Sequence, residues 1–586
     1  EALKSESARR PAPDRLSVLL GLTAALRAKT SSGGPTIARF LAYSDPRIRA
    51  DAANTLARLK LKDGNDQLRK LLMSDPDAVV RANAARVLGA TEDKVSFDAL
   101  LDRALKDMDS RVRISSIRSL GSLKDQRALE PLLRRASYLA KPNRSNLTPE
   151  TNEVLELATA LGRIGQGLTN PQLRKWLKAT SDSLGHTAPE VEIALARVWP
   201  AALVIDSGVS SVKQNAVESL LLNWKAGSGL AQGLGEIAAV TAAPKDNNVP
   251  LTAAAKDNNL FAVRAQEILR AMLDYRNSGI NINTLVAVHS EYAIPDVLRA
   301  LAAFKPKDLG EVLRNHLDLA GQEDPIIRAT AAELLGELPP DVINTTMLSG
   351  ALMGALHDKE LNDAALAILD SLGKQKSALA NEAIKTALES PDHLIRRKAV
   401  ALLKANGAGD FSSRIGTVQT RNTTADYERA IARIDKTVDA VVTTSKGVFT
   451  IQLLPEDAPL NVDNFVQLAK RNYFGGITFH RVVPNFVIQD GDPRGDGNGG
   501  PGYQIRCEIN EVPYERGAVG MALSGKDTGG SQWFATHSPQ PHLDGGYTVF
   551  GKVIRGMEVV DNTVRGDLIR SIVIKEMPRT AANRRR

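Results

Sequence analysis

Cysteine, aromatic side chains and long apolar runs are all scarce in this chain of 586 residues. The single cysteine, Cys507, excludes an intrachain disulfide and any metal site built from several cysteines. No apolar run reaches the roughly 18 residues that a bilayer-spanning helix needs, which predicts a soluble protein without a transmembrane segment. The compartment stays open between the cytoplasm and an exported location, because a chain that starts at Glu1 is compatible with a removed N-terminal signal.

A strong charge imbalance is also missing. The 75 basic and 67 acidic residues give a net charge of +8, and no block of one sign, the terminal "RRR" included, is longer than three residues. Nucleic-acid surfaces carry clustered basic stripes with aromatics between the charges, so we predict no nucleic-acid partner. His480, His537 and His542 have no carboxylate or cysteine at ligand spacing, so the sequence predicts neither a metal site nor a cofactor.

Aromatic residues divide the chain into two differently built regions. Of the 25 Phe, Trp and Tyr residues, 12 lie within residues 437–576, a stretch of 140 residues. The chain is also longer than a single hydrophobic core allows. We therefore predict an all-α solenoid over 1–407, a linker over 408–436, a β-barrel over 437–576 and a basic tail over 577–586.

The aromatic-poor region repeats itself. The segments "SDPRIRADAANTLARL", "SDPDAVVRANAARVLGAT" and "MDSRVRISSIRSLGSL" share an acidic start, an aliphatic-Arg pair, and alanines and leucines at helical spacing. Their arginines, Arg49, Arg81 and Arg113, recur at 32-residue steps. Ser-Asp-Pro places a capping oxygen before a proline in the first helical turn. Each helical hairpin must stack on its neighbours to bury its apolar face, which predicts an α-solenoid.

These segments resemble HEAT repeats of the short bacterial kind, over roughly residues 15–407. The resemblance implies an extended surface for other proteins, so we expect a protein partner on the solenoid. The resemblance to HEAT repeats indicates no catalytic reaction. It leaves open the alternative that the protein is a structural scaffold, whose biological role depends on the partner that the solenoid binds.

From Val438 the apolar period changes to two. "VDAVVTTSKGVFTIQLL" predicts a hairpin, and "NVDNFVQLAKR" predicts an amphipathic helix that covers a barrel end. Strand-like runs follow at 477–483, 486–489 and 547–553. The pattern predicts a small closed antiparallel β-barrel with two flanking helices.

Three segments of this region resemble, in order and spacing, the signature segments of the cyclophilins. They are "FHRVVPNFVIQDGDPRGDGNGG", "GAVGMALSGKDTGGSQWFAT" and "HLDGGYTVFGKVIRGMEVVD", and the resemblance covers residues 437–576. It implies a peptidyl-prolyl cis/trans isomerase that acts on proline-containing peptides or unfolded protein clients and assists folding. No covalent bond is made or broken in that reaction, so one arginine and apolar side chains suffice.

The resemblance also implies the residues of the site. The implied catalytic residues are Arg481, Phe486 and Gln489, and Arg481 is the catalytic arginine. The implied substrate-binding residues are His480, Val487, Met521, Ala522, Leu523, Gln532, Phe534, His542, Leu543 and Tyr547.

Four positions depart from the best-known members of the family. Leu523 replaces an asparagine, Val487 a methionine, Tyr547 a histidine and His542 a tryptophan. Because that tryptophan contacts cyclosporin, His542 predicts reduced sensitivity to the drug. The alternative to an active enzyme is a catalytically weak module that binds proline-containing peptides on a HEAT scaffold.

Overall fold

The protein is described by a computed structural model over residues 2–9, 14–139, 142, 147–205, 209–242, 252–278, 289–318, 323–358, 360–416 and 422–578. The chain forms two compact units: Glu1–Ile164 with Thr420–Arg586, and Gly165–Gln419. Residues from both ends of the chain therefore pack together in the first unit. The predicted domain boundaries stay predictions, because the units follow packing and not the type of secondary structure.

The N-terminal part of the first unit is helical. Its α-helices are α1 Ala2–Ala8, α2 Arg15–Ala28, α3 Gly34–Arg39, α4 Pro46–Leu59, α5 Asn65–Ser74, α6 Ala78–Ala90, α7 Phe97–Lys106, α8 Ser110–Leu123, α9 Leu129–Tyr138 and α10 Thr151–Ile164. Asp45, Asp77 and Asp109 cap α4, α6 and α8, and each accepts a hydrogen bond from the backbone N–H two residues on, at 2.7, 2.8 and 2.8 Å. Such caps satisfy N–H groups that have no partner inside the helix.

One repeat begins differently from the prediction. In α4, Pro46 is the first helical residue, as Ser-Asp-Pro predicts. In "SDPDAVV", however, Asp77 is the cap and α6 begins only at Ala78, so Pro76 lies outside the helix. Asp75 is thereby free to accept hydrogen bonds from Nε and Nη2 of Arg49, at 2.8 and 2.9 Å.

The recurring arginines join each repeat to the next one. Nε and Nη2 of Arg81 donate to the two carboxylate oxygens of Asp107, both at 2.9 Å. Arg113 donates to Oε2 of Glu153 at 3.0 and 2.9 Å. Nη1 of Arg81 also donates to the carbonyl of Asp75 at 2.9 Å, before its own helix. The arginine that recurs every 32 residues therefore binds a carboxylate of the following repeat, and we call this contact the arginine clamp.

The second unit is helical over its described residues. Its α-helices are α11 Pro171–Leu184, α12 Pro189–Val198, α13 Ala201–Val204, α14 Val209–Leu222, α15 Trp224–Ala242, α16 Thr252–Leu273, α17 Ile294–Ala303, α18 Leu309–Asn315, α19 Pro325–Leu335, α20 Val342–Ala355, α21 Asp363–Gln375, α22 Ala378–Thr386 and α23 His393–Ala405. Arg328 repeats the clamp: its Nη2 donates to Oδ1 of Asp358 at 2.7 Å, and its Nε to the carbonyl of Glu323 at 3.0 Å. The predicted all-α repeat class is confirmed.

The C-terminal part of the first unit is a β-barrel. Its elements are α24 Thr424–Ile431, β1 Lys436–Thr444, β2 Gly447–Leu453, α25 Pro459–Lys470, β3 Arg481–Val483, β4 Val487–Asp490, β5 Ala518–Met521, β6 Trp533–Thr536, β7 Val549–Arg555, α26 Met557–Asn562 and β8 Ile569–Pro578. The strands follow the order β3-β4-β6-β5-β7-β2-β1-β8, and neighbours are antiparallel. A bridge between Thr478 and Leu568 brings the two ends of the sheet together. This confirms the predicted fold of the C-terminal region.

The barrel interior is rich in aromatic side chains. The ring of Phe465, on α25, lies 5.1 Å from Phe474, 6.0 Å from Trp533 and 5.4 Å from Phe550, measured between centroids. Val462, Phe465, Val466 and Leu468 are all buried. The helix predicted to cover a barrel end therefore does so with those residues.

Other features of the described residues bear on function. Across the described ranges, no helix is long and apolar enough to cross a bilayer. Those ranges also contain no group of three or more His, Cys, Asp or Glu side chains placed to hold a metal ion. Burial raises the pKa of the Cys507 thiol, which disfavours the reactive thiolate.

Candidate active site

The hairpin of β3 and β4 places Arg481 directly opposite Gln489. Residues in opposite positions of an antiparallel pair project on the same face of the sheet. Nη1 of Arg481 accordingly donates a hydrogen bond to Oε1 of Gln489 at 3.2 Å. The two strands are joined at Asn485, which has a positive φ of 60° and is buried.

Gln489 also forms a hydrogen bond with Gln532. Its Nε2 donates to Oε1 of Gln532 at 3.0 Å. Nε2 of Gln532 in turn donates to the carbonyls of Gly497 and Gly499, at 2.8 and 2.9 Å. We call Arg481, Gln489 and Gln532 the polar relay. Because each amide both accepts and donates, the relay fixes the orientation of Gln489 and presents its oxygen to the arginine.

An apolar cluster lies beside the relay, and we call it the site cluster. Its buried members are Val487, Tyr514, Ala518, Phe534, Leu543 and Val549, with Leu454, Phe486, Val512, Ala522 and Tyr547 partly buried against them. The Phe534 ring stacks on Tyr514 with centroids 5.5 Å apart and meets Tyr547 edge-on at 6.1 Å. Rings held on several sides in this way form a preformed apolar surface.

The residues implied from the sequence divide between this cluster and other places. Phe486, Val487, Ala522, Phe534, Leu543 and Tyr547 belong to the site cluster. Met521 is 2% exposed and packs in the barrel core, and Leu523 packs against that core as well. Side chains alternate along a strand, so Ala522 projects to the opposite side from these two. His480 is half-buried immediately before Arg481.

Sequence reasoning missed Tyr514 as a member of the site cluster. It is completely buried, and its hydroxyl donates a hydrogen bond to the carbonyl of Thr548 at 3.1 Å. The residue lies in a segment without strand periodicity, "NEVPYERG". No local pattern indicates that its ring supports Phe534.

Arg481 combines an exposed guanidinium with an apolar neighbour. Its Cζ lies 5.4 Å from the centroid of the Phe486 ring. Burial of part of the side chain lowers the pKa of Arg481, but an arginine still carries its charge at every physiological pH. The arrangement can therefore present a permanent hydrogen-bond donor beside an apolar surface, without a nucleophile.

His542 extends the site beyond the relay. Its ring lies 5.6 Å from that of Phe486, measured between centroids. Burial, with the nearby charges of Arg58 and Arg86, lowers the pKa of His542 to about 3. The imidazole is therefore neutral near pH 7.

Comparison with known proteins identifies two families in the chain. The family "Cyclophilin type peptidyl-prolyl cis-trans isomerase/CLD" matches residues 439–579, and "HEAT repeats" matches residues 65–140.

Individual relatives match the C-terminal region. A peptidyl-prolyl cis-trans isomerase of Helicobacter pylori is 46% identical over 151 residues, which are 25% of this chain and 93% of that protein. Peptidyl-prolyl cis-trans isomerase B of Bacillus subtilis is 52% identical over 126 residues, 21% of this chain and 88% of that protein. A crystal structure of a cyclophilin-type isomerase from Cryptosporidium parvum is 32% identical, covers 24% of this chain and 99% of its own, and has a TM-score of 0.23.

Proposed function

Because the chain belongs to the cyclophilin-type peptidyl-prolyl cis-trans isomerase family, we propose that the polar relay and the site cluster together isomerise X–Pro bonds in protein clients. The observation that carries this proposal is the hydrogen-bonded series from Arg481 through Gln489 to Gln532 beside the partly buried edge of the site cluster. The site needs no cofactor for this reaction, since only a rotation about one bond is catalysed.

The physical problem is the partial double bond of the amide. Resonance gives the C–N bond a rotation barrier of about 18–20 kcal/mol, and X–Pro bonds interconvert in tens to hundreds of seconds. A catalyst must bind the twisted amide better than either planar form. A donor aimed at the prolyl nitrogen does this, because the nitrogen lone pair becomes available to accept a hydrogen bond only when conjugation is lost.

We assign these tasks to named residues. Arg481 donates to the amide, and Gln489 and Gln532 hold the guanidinium in place. Phe486, Phe534 and Leu543 hold the proline ring. Since these groups are oriented before the substrate binds, little reorganisation is needed during the reaction.

We further propose that the HEAT repeats bind unfolded clients and raise their concentration at the barrel. The support is the HEAT match over residues 65–140, in a chain where residues 1–164 pack into one unit with the barrel. A tethered binding surface makes the second contact intramolecular, which raises its effective concentration.

One experiment with two substrates tests both proposals. Exchange NMR on a short Xaa–Pro peptide should show that Arg481→Ala lowers turnover about 100-fold, the cost of removing one transition-state donor. The matched control, Arg471→Ala, removes an exposed arginine after α25 and should keep full turnover. With a long unfolded client, the full chain should exceed residues 422–578 alone.

Different outcomes would contradict the two proposals separately. Full activity in Arg481→Ala would remove the catalytic assignment. A wild-type chain that binds the peptide without accelerating exchange would leave only a proline-peptide binding module. Equal rates for the full chain and the barrel on the long client would remove the scaffold role.

A further inference from the structure

One side of the candidate site is formed by the helical repeats and not by the barrel. Nη2 of Arg58, near the end of α4, lies 2.7 Å from Nε2 of His542. Arg86, on α6, lies near enough that its charge, like that of Arg58, disfavours protonation of His542. The His542 ring in turn lies 5.6 Å from Phe486 in the site cluster. Two arginines from distant sequence therefore meet the edge of the proline site.

Contacts along successive repeats hold this position. Nδ2 of Asn485, at the turn of the β3–β4 hairpin, donates to Oδ1 of Asn83 on α6 at 3.2 Å. Nη1 of Arg111 on α8 donates to the carbonyl of His537 at 3.3 Å. Asn152 on α10 donates to the carbonyl of Thr563 at 3.1 Å.

An ion pair and a shared asparagine complete the attachment. Arg47 on α4 forms an ion pair with Glu515 of the barrel. Nη1 of Arg86 lies 3.4 Å from the same Oδ1 of Asn83 that binds Asn485. The helices α4, α6, α8 and α10 thus each contact the barrel, and Arg86 is placed by the residue that binds the active-site hairpin.

The charges of Arg58 and Arg86 are balanced by no anion within the described ranges. In the part of the chain that the structure describes, neither forms an ion pair, whereas Arg118, one repeat further on, pairs with Glu156 at 2.5 Å. Arg86 is mostly buried, and burial together with repulsion from Arg58 and Arg118 lowers its pKa to about 10. Two cations without a counter-ion, one of them mostly buried, cost free energy that an anion would recover.

His542 adds a donor to the two arginines. Arginine only donates hydrogen bonds, so Nε2 of His542 must be the acceptor and Nδ1 must carry the proton. This Nδ1 is buried and has no acceptor among the described residues. The three side chains therefore offer donors and positive charge that no acceptor or anion among the described residues matches.

We propose that Arg58, Arg86 and His542 form an anion subsite that makes the isomerase select peptides with an acidic side chain next to the X–Pro bond. The inference depends on the proposed function, because it concerns the substrate of that site. A peptide carboxylate fits better than a free anion, since His542 of the subsite lies beside Phe486, which the proposed function assigns to holding the proline ring of the substrate. Arginine pairs with carboxylates through two parallel hydrogen bonds, which gives such selection its geometry.

A peptide series on the full chain tests the anion subsite. Matched Xaa–Pro peptides carry Glu, Gln or Lys at one of the positions flanking the proline on either side, and exchange NMR gives kcat/KM for each. At one of these positions we expect a Glu/Gln ratio of about 10, with Lys slower than Gln. The ratio should shrink as salt screens the charges.

Variants of the two arginines test whether they cause the preference for glutamate. Arg58→Met and Arg86→Met should bring the Glu/Gln ratio close to 1, while Arg58→Lys should keep part of it by retaining the charge. Arg134→Met removes an exposed arginine of α9 and should keep the ratio of the wild type. Circular dichroism of each variant checks that the helices are intact.

The outcomes separate this inference from the proposed function. Turnover with a Glu/Gln ratio of 1 at every position would overturn the anion subsite and leave the isomerase in place. A ratio that persists in both Arg58→Met and Arg86→Met would overturn it as well. Failure to accelerate any of the peptides would instead contradict the proposed function.

Discussion

The helical repeats and the barrel of the first unit are stabilised by different kinds of contact. Between repeats, small side chains such as Ala52 and Ala53 are fully buried, and an arginine clamp such as Arg49–Asp75 joins one repeat to the next. In the barrel, aromatic rings converge on one core around Phe465. Repeats depend on nearest-neighbour contacts, whereas a closed barrel depends on a single core. The comparison implies that a destabilising substitution affects only neighbouring repeats in the helical part, whereas in the barrel it destabilises the whole fold.

The largest effect is expected in the barrel core. Phe465→Ala removes a ring that contacts three other aromatic side chains and should lower the free energy of unfolding by about 4 kcal/mol. Tyr138→Ala is the matched control, because that ring is 84% exposed, and it should change stability by less than about 0.5 kcal/mol. Urea unfolding monitored by tryptophan fluorescence measures both. A cost below about 1 kcal/mol for Phe465→Ala would contradict the single-core description.

A smaller and more local effect is expected in the arginine clamp. Arg49→Ala leaves Asp75 with a buried charge and no cation, which should cost about 3 kcal/mol. The double variant Arg49→Met/Asp75→Leu removes both charges and should recover most of that loss. Urea unfolding followed by helical circular dichroism measures the three chains. If the double variant is as unstable as the single one, the buried charge is not the cause.

The smallest effect concerns a buried carboxyl of the barrel that lacks such a clamp. Burial, opposed by the backbone N–H of Gly491, raises the pKa of Asp490 from 3.8 to about 7. Between pH 3.8 and about pH 7, Asp490 keeps its proton in the folded chain but loses it in the unfolded chain. Deprotonation therefore favours the unfolded chain, and the free energy of unfolding falls as the pH rises towards 7. The loss from pH 5 to pH 8 should be at most about 2.6 kcal/mol.

Asp490→Asn isolates that contribution. The amide keeps the shape of the neutral acid, so the variant should show a flatter dependence of the unfolding free energy on pH. Burial also raises the pKa of Asp51, to about 6, but this group is present in both chains and cancels in the difference. Identical pH slopes for the wild type and Asp490→Asn would show that Asp490 does not titrate in this range.

The sequence predicted the elements of both regions because their patterns are local. The 32-residue step of Arg49, Arg81 and Arg113 predicted repeats, and the period of two after Val438 predicted a barrel. The position of the helix start in "SDPDAVV" was predicted wrongly, because Asp75 and Asp77 are both suitable caps. The contact of Asp75 with Arg49, 26 residues earlier, coincides with capping by Asp77.

The residues of the candidate site were also predicted in part. Arg481, Gln489 and Gln532 were named through the resemblance of their segments to a family, and the structure brings them into one relay. Met521 was named with them, although its side chain packs in the barrel core. Strand neighbours alternate between two faces, so a contiguous motif includes residues that point away from the site.

The sequence by itself determined which segments are helical repeats, which form the barrel, and that the barrel belongs to an isomerase family. Only the tertiary structure placed Arg58 beside His542, 484 residues away in the chain. Periodicity and motifs report contacts between residues that are close in sequence or that recur in a family. A contact between the helical repeats and the barrel depends on how the surfaces of the two folded regions pack together. No sequence pattern within either region predicts such a contact.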